Sequence, residues 1–380
     1  KKEFIKKENS LLCATALTYF FIEIIIKKTK SNFKISNFLI YVLLATICDV
    51  MPLRKINKII ALNTISKFKI QNNLALNYIF EQYSLKRRLT VDDLGFLIGP
   101  IINSGGRLNS SNYGVELLST DNLEIIKDRS KKLIALNNKR KIIEQNILDK
   151  IDFEKIKKEN QNVIIYYKEN LNEGLIGIIA SRLKDYFNKP SIVITKSGDM
   201  FKASARSTTI YNIGNSIKLL IDNKIIDNGG GHNMAAGFSM KKNNIKLLDN
   251  FIQKDFKKKI SYKSNSNKYD LEISLSAIKS KFVQDINKLG PFGNFNFLPI
   301  FLIKNLKVIK LNIIKDKHIS IILKPNTGAT IRAICFNCLN TKLGHYLLNY
   351  KKKINIIAQI HENNWNNKKT IQLNIKDLIL

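Results

Sequence analysis

The sequence predicts an α/β chain made of more than one folded part, with a long helix in its middle and a small β-barrel at its end. Three observations predict this. Strand and helix signals alternate between residues 160 and 260; a helical pattern without Gly or Pro runs from Asp121 to about Lys158; and short strand patterns follow one another closely over residues 268–380. At 380 residues the chain has room for two or three domains. Its 44% apolar and 24% charged residues match a globular protein and exclude disordered, collagen-like and disulfide-scaffold classes.

Taken in order, residues 1–120 alternate helical patterns with the apolar stretch Leu39–Ile47, which reads as a β-strand or a buried helix. The Lys-rich start followed by Leu11–Ile26 mimics a signal peptide, but Glu3, Glu8 and Glu23 interrupt it and no small-residue cleavage site follows. It also falls short of the roughly 20 apolar residues of a membrane span. We expect a buried helix in a cytoplasmic protein. The first residue is Lys1 rather than Met, so we expect the start of the protein to lie upstream. Asp121 with Glu124 resembles a capping box, and Ile126, Leu133, Ile143, Ile147 and Ile151 give the long helix an apolar stripe. Such a helix would be roughly 55 Å long, enough to join two domains.

The α/β part is expected to place strands at Asn162–Tyr167, Ser191–Thr195, Phe201–Ser207 and Ala235–Met240, and helices at Leu175–Phe187, Ile213–Ile221 and Ile245–Lys257. The last part offers strands near Leu271–Ser274, Pro299–Leu311, His318–Leu323, Thr330–Phe336, Ile354–His361 and Thr370–Ile375, the pattern of an OB-type barrel, whose grooves commonly hold oligonucleotides.

Lys plus Arg number 63 against 30 Asp plus Glu, a net charge of +33 that attracts phosphate-bearing partners. AT-biased coding produces the same excess of Lys, Asn and Ile, so charge alone does not decide the partner. Four cysteines, Cys13, Cys48, Cys335 and Cys338, are too few for a disulfide framework, and the single CxxC at 335–338 reads as core.

The chemistry lies in a few short segments. Asn228-Gly229-Gly230-Gly231-His232 frees the backbone to approach a ligand and delivers an imidazole. In Lys202–Ser207, alternation puts Ser204 and Arg206 on one strand face, two donors for one anion. Only 9 of the 63 basic residues are Arg, so an Arg set among small residues is not compositional drift. Gly99–Asn109 reads as a Gly-rich turn carrying Asn103 and Arg107, suited to a sugar-phosphate backbone. Ala45–Leu53 is an apolar run ending in Asp49, which suits either a hard cation or a helix cap. Gly174–Arg182 opens a helix whose start could face an anion. The aromatics of Leu289–Pro299 suit base stacking or, more simply, packing.

In this order the segments resemble the RecJ family, single-strand-specific DNA exonucleases of the DHH phosphoesterase superfamily. Thr46–Leu53 is similar to the family's metal-binding segment and Gly99–Leu108 to its Gly-Pro-x-x-Asn-Ala-Ala-Gly-Arg-Leu turn. Gly174–Arg182 resembles its Gly-x-x-Gly-Ile-x-Ala-Ser-Arg helix, Lys202–Ser207 its Gly-Ser-x-Arg-Ser strand, Gly230–Gly237 its Gly-Gly-His-x-x-Ala-Ala-Gly turn, and Leu289–Phe301 the lead into its OB-fold. The resemblance implies the C-terminal part of a DHH domain over 1–120, a connecting helix over 121–158, a DHH-associated substrate-binding domain over 159–262 and an OB-fold over 263–380.

It further implies a 5′→3′ exodeoxyribonuclease of DNA repair and recombination that uses Mn²⁺ or Mg²⁺. Asp49 would be a metal ligand and catalytic, and His232 catalytic at a substrate phosphate. Asn103 and Arg107 would hold the DNA backbone, and Ser204, Arg206, Ser207, Gly230 and Gly231 the terminal 5′-phosphate. Implied partners are single-stranded DNA, a single-strand-binding protein and a helicase. No membrane is expected, and the protein would act as a monomer or with a complementing N-terminal chain. The sequence departs from the family where Asp-x-Asp and Asp-His-His are absent; its histidines are His232, His318, His345 and His361. Trp-His-Gln-Gly is replaced by Leu171-Asn172-Glu173-Gly174. We therefore expect this chain alone not to cleave. The alternatives are a non-catalytic strand-binding module and a DHH-type phosphatase on short oligonucleotides.

Overall fold

The structure is a computed structural model that describes residues 11–260, 269–339, 341–349, 353–365 and 368–379. In chain order its helices are α1 (Ala14–Thr29), α2 (Leu39–Cys48), α3 (Lys55–Lys67), α4 (Leu74–Gln82), α5 (Gly99–Leu108), α6 (Asn112–Ser119), α7 (Leu123–Leu148) and α8 (Phe153–Glu159), followed by α9 (Ile176–Phe187), α10 (Ile213–Asp222), α11 (Ile245–Ile260), α12 (Ser280–Lys288) and α13 (Lys342–Asn349). The strands are β1 (Ile164–Tyr167), β2 (Ser191–Ser197), β3 (Met200–Arg206), β4 (Asn228–Gly231) and β5 (Ala235–Met240), then β6 (Leu271–Glu272), β7 (Ile300–Ile314), β8 (His318–Lys324), β9 (Ile331–Cys335), β10 (Ile354–Trp365) and β11 (Lys368–Ile379). Two compact units form: Lys1–Phe68 with Leu89–Leu94 and Asn265–Leu380, and Lys69–Arg88 with Gly95–Ser264.

In the second unit one five-stranded sheet runs β1-β2-β3-β5-β4, with β1 and β2 parallel and the other pairs antiparallel. Both faces are covered, so the inner strand β2 reads as a continuous apolar run instead of an alternation. One face carries Ile192, Ile194, Ala203, Ala205 and Phe238 against α10 and α11 residues such as Ile217 and Leu248. On the other, Val193 and Ile164 meet Ile176, Ile179 and Leu183 of α9. Helix α7 ends at Leu148, short of the expected Lys158, because the chain turns at Asp149–Asp152 before α8, which Asp152 caps through the Lys155 amide. Twenty-six residues make it roughly 39 Å long. Asn122, not Asp121, is its N-cap, accepting from the amides of Glu124 and Ile125.

The expected Gly-rich turn at 99–108 is helix α5. Its glycines answer helix packing: a Cβ on Gly105 would stand 2.5 Å from the Ser110 carbonyl oxygen and 3.2 Å from Leu133 of α7. Ser104 crosses the same contact by donating to the Leu133 carbonyl. The Gly run at 228–231 is likewise a strand, the exposed edge of the sheet.

In the first unit, Leu39–Ile47 is helical and buries Ile40, Val42, Leu43 and Leu44. The buried helix expected over Leu11–Ile26 is α1, but it is largely exposed. Only Ala16 within it is buried, while Leu17, Phe21, Ile24 and Ile25 face solvent, because its apolar residues surround the helix and only one side meets α2. The expectations for Glu3 and Glu8 lie outside the described residues.

Strands β7, β8, β9, β11 and β10 close into a five-stranded barrel through a β10–β7 pairing, with β9 and β11 parallel and α13 between β9 and β10. That is the OB topology the strand spacing predicted. Helices α12 and α13 were not foreseen; they bring Val283, Ile286 and Leu347 into the barrel core. Among the described residues no helix is long and apolar enough to cross a membrane.

Candidate nucleic-acid interface

The start of α9 organises a cluster in the second unit. Asn172 accepts from the Gly174 amide and fixes the turn, and the buried Leu175 anchors it. A Cβ on Gly174 would overlap the carbonyl of Arg107 and stand 2.9 Å from its Cα, so only glycine lets the end of α5 come this close. Arg107 uses the approach: its Nη1 donates to the Gly174 carbonyl at 2.9 Å. One turn further, Gly177 leaves room for β3. A Cβ there would lie 2.9 Å from Arg206 Nη2 and 3.1 Å from Ser204 Oγ.

Ser204 and Arg206 share a face as expected, with Arg206 Nη1 donating to Ser204 Oγ at 3.0 Å and to the Ala205 carbonyl at 2.9 Å. Burial, and then Arg107, lower the Arg206 pKa from its ordinary value. For Arg107 the causes are burial and then Arg140, with Glu144 opposing. Both stay charged, as arginine does in proteins. Among the described residues neither forms an ion pair, although both are partly buried. Two neighbouring guanidiniums that no carboxylate pairs directly among the described residues, beside the amides of a helix start, offer donors suited to an anion.

Across the sheet the floor beside this cluster is bare. Ser204 pairs with Gly237, and Gly237 with Gly230. A Cβ on Gly230 would meet nothing within 4 Å. Gly231 points the other way, where a Cβ would overlap that of Ala236, so its lack of a side chain serves packing. His232 is exposed on a clamped turn, its amide donating to the Ala235 carbonyl at 2.8 Å and its carbonyl accepting from Gly214 at 3.1 Å. Because Ala235 pairs with Arg206, the register sets His232 at the same end of the sheet.

Two expected contacts are not brought in. Ser207 is fully buried and its hydroxyl is spent on the Tyr211 carbonyl at 2.7 Å, since alternation turns it away from Arg206. Asn103 is exposed over a separate depression of about 230 Å³ between α5 and α6, whose lining does not include Arg107. Conversely, Arg140, Glu144 and Arg182 were missed. Glu144 holds Arg140 at 2.8 Å and Arg182 at 2.6 Å. A signal was present: in a chain with 54 lysines, four of the nine arginines converge here.

Asp49 belongs to the first unit, exposed at the end of α2 rather than after a strand. Val50 follows at φ +54°, and Asn294 pins the turn by donating to the Val50 carbonyl at 2.6 Å and accepting from the Leu53 amide at 2.7 Å. Gly293 packs on Leu53, and Arg54 lies 5.7 Å from the Phe295 ring. The aromatic-bearing segment 289–299 thus packs against the Asp49 turn. Among the described residues no group of three His, Cys, Asp or Glu could hold a metal ion, so the donors present do not fit a divalent-metal centre. On the barrel, Ile334, Phe336, His361, Glu362, Gln372 and Asn374 line a depression of about 310 Å³. Burial, then Lys376, lower the His361 pKa, against Asp92. Cys335 and Cys338 are buried, as the core reading expected.

A family model described as the DHHA1 domain matches residues 160–258, and one described as the RecJ OB domain matches 269–377. The single-stranded-DNA-specific exonuclease RecJ of Bacillus subtilis is 26% identical over 349 residues, 88% of this chain, and that of Escherichia coli 27% over 313 residues, 78% of this chain. The OB-domain model and both relatives are those of the RecJ family, which the chain resembles. The chain spans about half the length of these relatives, 43% and 53%. Among solved structures, RecJ from Thermus thermophilus in complex with Mn²⁺ superposes with a TM-score of 0.74 at 18% identity, over 91% of this chain and 50% of that one; the Mg²⁺ complex gives 0.73. The shared fold includes the barrel, the associated α/β domain and the helices before them.

Proposed function

We propose that this RecJ-like chain holds the 5′-terminal phosphate of single-stranded DNA and belongs to a 5′→3′ exodeoxyribonuclease of DNA repair and recombination. The observation that carries the reading is the pair Arg107 and Arg206, two neighbouring guanidiniums with no carboxylate partner among the described residues, set beside Ser204, Gly177 and the start of α9. A terminal phosphate monoester supplies the missing charge, about −1.5 to −2 at pH 7. Fixing the 5′ end fixes the polarity of degradation.

His232 reaches the same end of the sheet, and on the barrel the depression with Phe336 and His361 would suit single-stranded nucleotides by stacking and hydrogen bonding. In this reading residues 1–120 close a DHH domain, 159–262 bind the strand end and 263–380 track the strand. Hydrolysis would depend on Mn²⁺ or Mg²⁺ held by ligands additional to Asp49, and a single-strand-binding protein and a helicase would supply the substrate.

A second reading is favoured by one observation, the absence of a metal-ligand cluster among the described residues: a strand-binding chain that does not cut. A nuclease assay with Mn²⁺ on strands labelled at either end separates the two. The chain alone should bind and not cut; fused to the Asp-His-His-bearing half of a RecJ relative, it should release the 5′ label first. Release from the 3′ end first would refute the exonuclease reading, and a folded fusion that binds without cutting would favour the second.

A further inference from the structure

We infer that Glu144 of α7 is a positioning residue for the anion cluster, acting through Arg140 and Arg182 on the two guanidiniums that face the strand end. The inference rests on the phosphate-binding reading above and names a residue outside it. Glu144 has only 7% of its side chain exposed, and both oxygens are engaged, Oε2 by Arg140 Nη1 at 2.8 Å and Oε1 by Arg182 Nε at 2.6 Å. Arg140 is itself 11% exposed and donates through Nε to Asn137 Oδ1 at 3.1 Å, so its fork is held by α7 residues one turn before and one turn after it. A buried carboxylate this well satisfied is costly to place and is kept where its geometry is used.

What it serves follows from its neighbours. Arg107 lies within electrostatic reach of both Arg140 and Glu144, and Arg206 within reach of Arg107. Charges on β3, α5, α7 and α9 are thus linked, Arg206 and Arg107 through their fields and Arg140 and Arg182 through their shared bond to Glu144. Four guanidiniums against one carboxylate leave a charge of 4 − 1 = +3. A terminal phosphate with the next phosphodiester carries about −2.5 to −3. Without Glu144, four like charges would repel one another and lose their fixed spacing. The cluster would remain attractive to any polyanion but would distinguish a strand end less well.

The test is the ratio of affinities of the full chain for twelve-nucleotide strands with 5′-phosphate and with 5′-hydroxyl, by fluorescence anisotropy in EDTA. Wild type should prefer the phosphate, and Arg206→Ala should lose the preference; if wild type shows none, the phosphate reading itself fails. With that preference in place, Glu144→Gln should lower the ratio at least fivefold without weakening binding of the hydroxyl strand. A ratio within twofold of wild type, or equal weakening of both strands as a purely structural role would give, overturns the inference alone. If Glu144→Gln loses the wild-type melting transition, Arg182→Met decides, because Arg182 is 56% exposed and its loss buries nothing new. A fall of at least threefold then supports the inference, and an unchanged ratio overturns it.

Discussion

Replacing Gly177 with alanine should separate binding from stability. The added methyl would lie 2.9 Å from Arg206 Nη2 and 3.1 Å from Ser204 Oγ, in the space these donors share with the first turn of α9. Arg206 has little room to retreat, because its Nη1 is held by the Ala205 carbonyl and Ser204. Alanine favours a helix over glycine by roughly 0.5–1 kcal/mol, which offsets the cost of shifting the guanidinium by a few tenths of an ångström. Net stability should therefore change by less than about 1 kcal/mol. An anion kept from the donors loses at least one charge-assisted hydrogen bond, about 1.5–3 kcal/mol, and at 1.36 kcal/mol per tenfold that is about 10- to 150-fold in affinity. Thermal melting and anisotropy with 5′-phosphorylated and 5′-hydroxyl strands read the two effects. A variant that melts like wild type and keeps its phosphate preference would refute the placement of the pocket under α9.

Gly174→Ala should behave differently, because the obstructing atoms are the Arg107 backbone; a loss of about 1–3 kcal/mol in stability together with the phosphate preference is expected, and a wild-type melting point would contradict the close approach. Val50→Gly should stabilise the first unit by up to about 1 kcal/mol, since Val50 is 64% exposed and a β-branched residue is strained at φ +54°; a lower melting temperature would show that contacts, not the turn, fix Val50. For Asp255, burial pushes the pKa up, but hydrogen bonds from Lys259, Ser216 and Tyr211 outweigh it and hold the carboxyl below its ordinary value. A carboxyl depressed in the folded state adds stability that is fully present above its unfolded pKa, about 3.9, and is lost as pH falls through the folded value. Asp255→Asn should therefore lower the melting temperature at pH 7 and flatten its decline below pH 4; an unchanged acid limb would remove Asp255 from the account.

Much of this was legible from residue pattern. The alternation Lys202-Ala203-Ser204-Ala205-Arg206 placed Ser204 and Arg206 on one face because a strand repeats every two residues, and the strand spacing after residue 268 gave the barrel. Glycine was the least legible residue. The same bareness that reads as a turn serves helix packing at Gly105, edge-strand packing at Gly231 and an open floor at Gly230, and only the neighbours tell these apart. Ser207 was misplaced because alternation turns the residue after Arg206 to the opposite face, where its hydroxyl is spent on the Tyr211 carbonyl. Glu144 escaped notice because its partner Arg182 lies 38 positions away, whereas the Arg140 pairing is an ordinary spacing on a helix surface.

The first unit is interrupted in sequence, its helices α1 to α3 ending at Lys67 and its barrel strands not beginning until Ile300. The Asp49 turn is held by Asn294, beyond the second unit in sequence. During synthesis at about 5–20 residues per second, the early helices must wait on the order of ten to forty seconds before the segment that clamps them leaves the ribosome. Throughout that interval the Asp49 turn lacks its clamp, whereas the second unit, contiguous apart from a six-residue gap, is complete before that segment is made.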